Sequence, residues 1–365
     1  MQGMFPGYYR PTKEEFSKLW QECIFVFDAN VLLNIYRYSP ETRHELFDIL
    51  GRLQERIWLP YQAMLEYHEN REEVISQQYN IDAEVKTALR VASEGIEAKY
   101  KRGHPFADTK FIATIINEAI AKINASIVEA QSKFPDLLEN DYLLNRITVL
   151  FNNRVGSKYP PKRLEEKYRD LDLRYRLQIP PGYRDKNLKR EGFKKYGDGV
   201  LWFQLIDYAK AQKKPIILTT DDQKDDWWRI EKGETIGPRP ELIEEMRTQA
   251  GVAFYMYNAS QFLIYAKEFL GFSVKQKAID EVRDVEQQGK VEMTPKQIER
   301  FFHCSHCGRN SMLLAEFSEI EREAKEQVEI SINCPYCNVL TILTIPDTWI
   351  LFSVTKLNPI NLPSG

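Results

Sequence analysis

Four short apolar runs, spaced by helix-patterned sequence, constrain this chain more than any other feature. Ile24-Phe-Val-Phe27, Ile57-Trp-Leu59 and the runs at 215–219 and 252–256 are continuous rather than alternating, the pattern of strands buried on both faces. Helices are expected over 13–22, 30–38, 40–55, around Glu66, over 198–211 and 240–250, and from Ser260. The first is opened by the capping box Thr12-Lys-Glu-Glu15. Strands alternating with helices give an α/β fold with a parallel sheet flanked by helices. Residues 71–151 are rich in Glu, Ala, Lys, Ile and Leu and read as two or more long helices, part of a helical insertion over about 71–178. The apolar runs are too short to span a bilayer and no apolar signal region opens the chain, so a cytoplasmic protein with no membrane partner is expected.

Four of the five cysteines form two pairs, Cys304-Ser-His-Cys307 and Cys334-Pro-Tyr-Cys337, with 26 residues between them. A CxxC turn bends both sulfurs toward one ion, and two such turns complete a tetrahedron, so a structural Zn²⁺ site is predicted. Gly308 follows the first pair, where a knuckle needs a residue with positive φ. His303 and His306 are the minority alternatives as ligands. Cys23 reads as a small buried hydrophobe. Segments 312–317, 328–332, 339–345 and 349–354 fit short antiparallel strands. The expected organisation is a main domain over 1–270, a helical linker over 271–300 and a small β-rich zinc ribbon over 301–365.

The net charge is −3, from 50 basic and 53 acidic residues. It hides an asymmetry: residues 154–195 carry 14 Lys/Arg against 6 Asp/Glu, a local charge of +8 that leaves −11 elsewhere. Such a strip can hold phosphates, and its bland alternative is a solvated face. Arg184, Lys186, Lys189, Arg190, Lys194 and Lys195 are its candidate nucleic-acid contacts.

In open parallel sheets ligands bind beyond the C-terminal ends of the strands. Asp28 and Asp221 both follow apolar runs there, although Asp28 could equally cap the next helix. Carboxylates gathered at one edge repel unless a cation lies between them, and hard oxygen ligands select Mg²⁺ or Mn²⁺. Beside a basic strip, this composition suggests metal-dependent phosphodiester chemistry. None of the five histidines lies in a nucleophile motif, and there is no phosphate-binding Gly-x-x-x-x-Gly-Lys-Ser/Thr loop.

Four motifs in order resemble those of PIN-domain nucleases. Phe25-Val-Phe-Asp28-Ala-Asn30 is similar to the first and Pro60-Tyr-Gln-Ala-Met-Leu-Glu66 to the second. Gly197-Asp198 at a helix start is similar to the third, and Ile217-Leu-Thr219-Thr-Asp221-Asp-Gln-Lys-Asp225 to the fourth. Pro180-Pro-Gly-Tyr-Arg-Asp185 resembles a subgroup of large bacterial PIN-like proteins with a helical insertion. The resemblance covers about residues 8–270 and leaves the zinc ribbon outside. It implies a nuclease using one or two Mg²⁺ or Mn²⁺ ions. Asp28, Glu66, Asp198 and Asp221 would be ligands and Asp225 an acidic neighbour. Asn30 and Thr219 would orient water or carboxylates, and Asp185 would belong to the subgroup motif. The register within 221–226 is open by one residue.

Two functions follow. The first is a divalent-metal-dependent endonuclease, with single-stranded RNA as the expected partner. The resemblance implies a toxin or phage-defence role, and the helical insertion offers a surface for a regulatory protein partner or a homo-oligomer. The second is a non-catalytic RNA- or protein-binding module that uses the same scaffold. Tyr175 and Tyr183 could stack on bases, but tyrosines in a globular chain more often pack half-buried.

Overall fold

The computed structural model describes residues 5–79, 108–132, 136–187 and 192–288, with parts of 85–95. Of the C-terminal part it describes 296–304, 306–308, 310–319, 327–334, 336–337, 339–346 and 349–359. The chain divides into two compact units, residues 1–286 and 287–365.

The first unit is built on a parallel sheet of β1 (Ile24–Phe27), β2 (Ile57–Trp58), β3 (Ile216–Thr219) and β6 (Phe254–Tyr257), in the order β2-β1-β3-β6. Period-two geometry sends alternate residues to opposite faces. Phe25, Phe27 and Ile217 join Trp20, Phe262 and Leu263 on one face. Ile24, Val26, Ile216 and Leu218 join Trp202, Trp227, Leu242 and Met246 on the other. The continuous apolar runs are thus explained: both faces of each strand are covered.

Helix α1 (Lys13–Glu22) has the expected capping box, with Thr12 and Glu15 each accepting the other's backbone N–H. α2 (Ala29–Asn34), α3 (Pro40–Arg52) and α4 (Tyr61–Tyr79) follow β1 and β2. The insertion holds α5 (Thr109–Ser132), α6 (Tyr142–Phe151) and α7 (Pro161–Arg176). α7 lies in the basic strip, inside the helical insertion expected over about 71–178, and buries only Leu171 and Tyr175. Within α5, Phe111–Glu129 is long and apolar enough, by length and composition, to cross a membrane. Polar Asn117, Glu118, Lys122 and Asn124 interrupt it, so the sequence reading saw only short runs.

α8 (Gly197–Gln212) leads into β3, and α9 (Pro240–Ala250) and α10 (Ala259–Leu270) flank β6. A hairpin of β4 (Trp228–Glu231) and β5 (Glu234–Pro238) lies between β3 and α9. Its mostly polar sequence gave no strand signal. α11 (Gln276–Gln288) falls in the segment read as a linker, yet Ala278, Ile279, Val282 and Val285 are buried in the first unit. Glu281 accepts from Ser39 and Thr42 at the start of α3, and Glu286 from Ser260 at the start of α10.

The second unit contains β7 (Lys296–His303), β8 (Asn310–Glu319), β9 (Gln327–Asn333), β10 (Leu340–Pro346) and β11 (Trp349–Pro359). They pair antiparallel as β11-β8-β7 and β10-β9. Four of these were expected. β7 occupies the end of the stretch to Arg300 that had been read as helical; Gly289 and Pro295 in the sequence are the helix-breaking signals passed over.

Candidate active site

The site begins with strand register. β1 and β3 pair with Phe27 level with Thr219, so the next residues, Asp28 and Thr220, meet at the C-terminal edge of the sheet. Asp28 Oδ1 accepts from the Ala29 N–H at 2.7 Å and caps α2. Oδ2 accepts from Thr220 Oγ1 at 2.8 Å and Asn30 Nδ2 at 2.9 Å. Asn30 Oδ1 accepts from the Asp221 N–H, tying the two strand-end loops together. The Thr219 hydroxyl is buried without a hydrogen-bond partner. Thr220, one residue on, supplies the contact for which Thr219 was singled out; only the register could have revealed it. Burial raises the Asp28 carboxyl to about 6. Repulsion from Asp198 adds to this, while Thr220, Ala29 and Lys224 oppose it.

A lysine inside a run of charges, with no signal of its own in the sequence, organises the acids. Lys224 Nζ donates to Asp222 Oδ2 at 2.9 Å, Asp198 Oδ2 at 3.0 Å, and Asp185 Oδ1 and Oδ2 at 3.0 and 3.1 Å. Asp185 is 1% exposed, Asp222 12%, Asp198 17% and Lys224 itself 29%, so the group is shielded yet reachable from solvent. Burial alone would lower the ammonium's pKa, but Asp198, Asp222 and Asp185 hold it above the usual lysine value. Burial and then Asp198 push the Asp222 carboxyl up. Three carboxylates thus contact one ammonium, and Asp28 is near enough to feel both Asp198 and Lys224.

Close approaches from other elements enclose Asp198. It lies in the first turn of α8 without capping it; Oδ2 instead accepts from Lys224 and from Trp227 Nε1 at 3.2 Å. Gly197 packs close beside it: a Cβ there would lie 2.4 Å from Glu66 Oε1 and would push that carboxylate aside. That contact brings Glu66 of α4, which also accepts from Gln62, against the start of α8. Gly182 has φ +89°, and a Cβ there would meet Tyr175 Oη at 2.3 Å and Asp198 Cβ at 3.0 Å. Trp227 and Trp228 are buried, and the indole N–H of Trp228 donates to the Asp222 carbonyl. Both tryptophans pin the loop rather than present a face.

Other residues singled out from the sequence turn away. Asp221 Oδ2 accepts from Asn34 Nδ2 at 2.7 Å and Oδ1 from the Ala259 N–H at 2.9 Å. Its carboxyl is raised by burial. Asp225 pairs with Arg184 at the surface, and that pairing lowers its carboxyl. In the strip, Lys194 pairs with Glu69, and Lys195 Nζ lies 4.8 Å from the centre of the Tyr196 ring. Arg174 is committed to Glu245. The Lys186 side chain, Lys189 and Arg190 lie outside the described residues. Much of the +8 is therefore spent on neighbouring acids.

The cysteines meet in the second unit. Cys304 and Cys307 follow β7, and Cys334 and Cys337 fill the turn between β9 and β10. All four sulfurs lie within 4.8 Å of one another, with Cys304–Cys337 and Cys307–Cys334 at 3.7 Å. A Zn–S bond of about 2.3 Å gives a tetrahedral edge of about 3.8 Å, so the spacing suits zinc. Gly308 has φ +70°, as the knuckle requires. Cys23 is fully buried.

For a divalent ion in the first unit, the donor set is chemically suitable: hard carboxylate oxygens at a strand-end edge, with pKa values raised by burial and by each other. A family model described as PIN like domain matches residues 24–242. No curated protein and no solved structure matches the chain. The matched span exceeds half the chain and holds the parallel sheet, Asp28, Glu66, Asp185, Asp198 and Asp222 on a fold of nuclease type; this chain belongs to the PIN-like domain family.

Proposed function

We propose that this chain is a divalent-metal-dependent endonuclease that cuts single-stranded RNA in the cytoplasm. Asp28, Glu66, Asp198 and Asp222 would hold Mg²⁺ or Mn²⁺, with Asp222 taking the place first given to Asp221. The observation that carries the reading is the meeting of Asp185, Asp198 and Asp222 around the Lys224 ammonium, with Asp28 close enough for Asp198 to push its carboxyl up. Such repulsion costs stability, and function is the usual reason for retaining it.

The chemistry supplied by bound Mg²⁺ or Mn²⁺ is activation of water near neutral pH and stabilisation of the 3′ leaving oxygen. The chain's own residues prepare for it. Asn30 and Thr220 fix the Asp28 carboxylate. Trp227 fixes Asp198, and the Asp222 loop is held by the Trp228 indole. Lys224 opposes the upward push on the Asp222 carboxyl, ties Asp222 to Asp198, and offers its ammonium to a phosphate oxygen. Zinc in the cysteine cluster would be structural, because four thiolates leave no open position.

A second reading has one observation in its favour: Lys224 already neutralises part of the acidic cluster, so a binding module would need no metal. Isothermal titration with Mn²⁺ separates the two. The nuclease reading predicts saturable binding that Asp28→Asn and Asp222→Asn weaken at least tenfold. Binding unchanged in both variants, or absent in the native chain, favours the metal-free module.

A further inference from the structure

Phe193 has no role in the site described above, yet it is 64% exposed. A lone exposed aromatic needs no explanation, but this one is built in. Its ring stacks on Tyr168 with centroids 4.4 Å apart and planes 11° from parallel. Tyr168 in turn stacks on Tyr196 at 5.3 Å, and Tyr196 lies against Tyr175 at 5.4 Å. Tyr196, Tyr175, Leu171 and Val200 form a buried cluster beneath the stack. The orientation of Phe193 is thereby set from behind, while its outer face is open to solvent.

The surroundings indicate what that face would meet. Lys194 follows in sequence and is exposed, and among the described residues it pairs at the surface with Glu69; such pairs are weak and exchange readily for a phosphate. Lys195 comes next, over the Tyr196 ring. The 3₁₀ segment Gly192–Tyr196 runs directly into α8. Phe193 therefore stands five residues from Asp198, about 10 Å along the chain at about 2 Å per residue. An open aromatic face, adjacent cations and a nearby acidic centre together match how proteins hold unpaired bases.

We propose that Phe193 is a base-stacking platform for single-stranded RNA, with Lys194 and Lys195 receiving the adjoining backbone and the strand continuing toward Asp198. The inference rests on the nucleic-acid reading above and adds the subsite that would favour unpaired over paired strands.

The test is fluorescence anisotropy of a labelled single-stranded RNA with the full chain in buffer without added Mg²⁺ or Mn²⁺, so that no cutting occurs and the zinc is kept. Phe193→Ala should weaken binding roughly 5- to 150-fold, the range for loss of one stacked base. Phe193→Tyr should restore it, and Phe193→Leu, which keeps apolar area without a π face, should not. The salt dependence of Phe193→Ala should match the native chain, since no phosphate contact is lost. Affinity for a perfect RNA duplex should be unchanged by Phe193→Ala. If the native chain binds the strand and Phe193→Ala binds it within twofold, the platform is overturned while the nucleic-acid reading stands. If the native chain binds no RNA at all, the nucleic-acid reading fails and the platform falls with it.

Discussion

The cysteine cluster and the acidic cluster gather metal-ligating side chains in opposite ways. Cys304, Cys307, Cys334 and Cys337 come from two tight turns and converge with nothing between them, every sulfur within 4.8 Å of the others. Asp28, Asp185, Asp198 and Asp222 come from four separate elements: the loops that end β1 and β3, a 3₁₀ turn, and the first turn of α8. Among the described residues, no three acids converge as the cysteines do, because Asp185, Asp198 and Asp222 are arrayed around the Lys224 ammonium. Four soft ligands at tetrahedral spacing suit an ion that stays and holds the fold. Hard ligands spread around a lysine suit an ion that must share its site with a substrate. One arrangement closes on its metal and the other stays open.

The comparison can be broken most severely at the cysteines. Removing the zinc, or making Cys334→Ser, should unfold the second unit, since structural zinc contributes about 10–16 kcal/mol to such small folds. Elemental analysis should find one zinc per chain, and limited proteolysis should then cleave the second unit while sparing residues 5–79 and 192–286. A chain that keeps full protease resistance without zinc would remove the structural half of the contrast.

At the acidic site the largest effect on folding belongs to Lys224. Lys224→Met leaves Asp185, Asp198 and Asp222 facing one another, and should cost about 2–3 kcal/mol, below the value for fully buried pairs because the lysine is partly exposed. Mn²⁺ should recover most of the loss in a thermal melt. A variant as stable as the native chain would mean that the ammonium is incidental.

A smaller, opposite effect is expected from Asp28. Its folded carboxyl lies near 6, above the usual 3.8. Its contribution is thus intact below about pH 3.8 and is lost as pH rises through 6. Without metal at pH 7.5, Asp28→Asn should be the more stable chain by about 1–2 kcal/mol, since asparagine caps α2 as well as aspartate does. Near pH 4 the gain should vanish. Urea melts at the two pH values measure it, and a gain that does not change with pH would contradict the burial argument.

The two clusters also differ in how much of each could be read from the sequence. The cysteine site rests on spacing within two short turns, so it was legible down to the positive φ of Gly308. The sheet was legible for a similar reason, because Phe25, Phe27 and Ile217 show their burial as unbroken apolar runs. The acidic site depends on tertiary register. Asp28 could be found as a strand-end acid, whereas choosing Thr220 over Thr219 requires knowing that Phe27 pairs with Thr219. Choosing Asp222 over Asp221 requires knowing that Asn34 and Ala259 turn Asp221 away. Lys224, inside a run of charges, gave no signal of its own. The β4–β5 hairpin gives no such signal because it buries too few apolar residues for a period to show.

The most direct test of the central claim is cleavage of a labelled single-stranded RNA by the purified chain in Mn²⁺, Mg²⁺ and EDTA, beside Asp28→Asn, Asp222→Asn and Asp221→Asn. The account predicts cutting that needs the metal, is abolished by the first two substitutions, and survives in good part in the third. No cutting in any metal, or cutting that Asp28→Asn leaves intact, would contradict it.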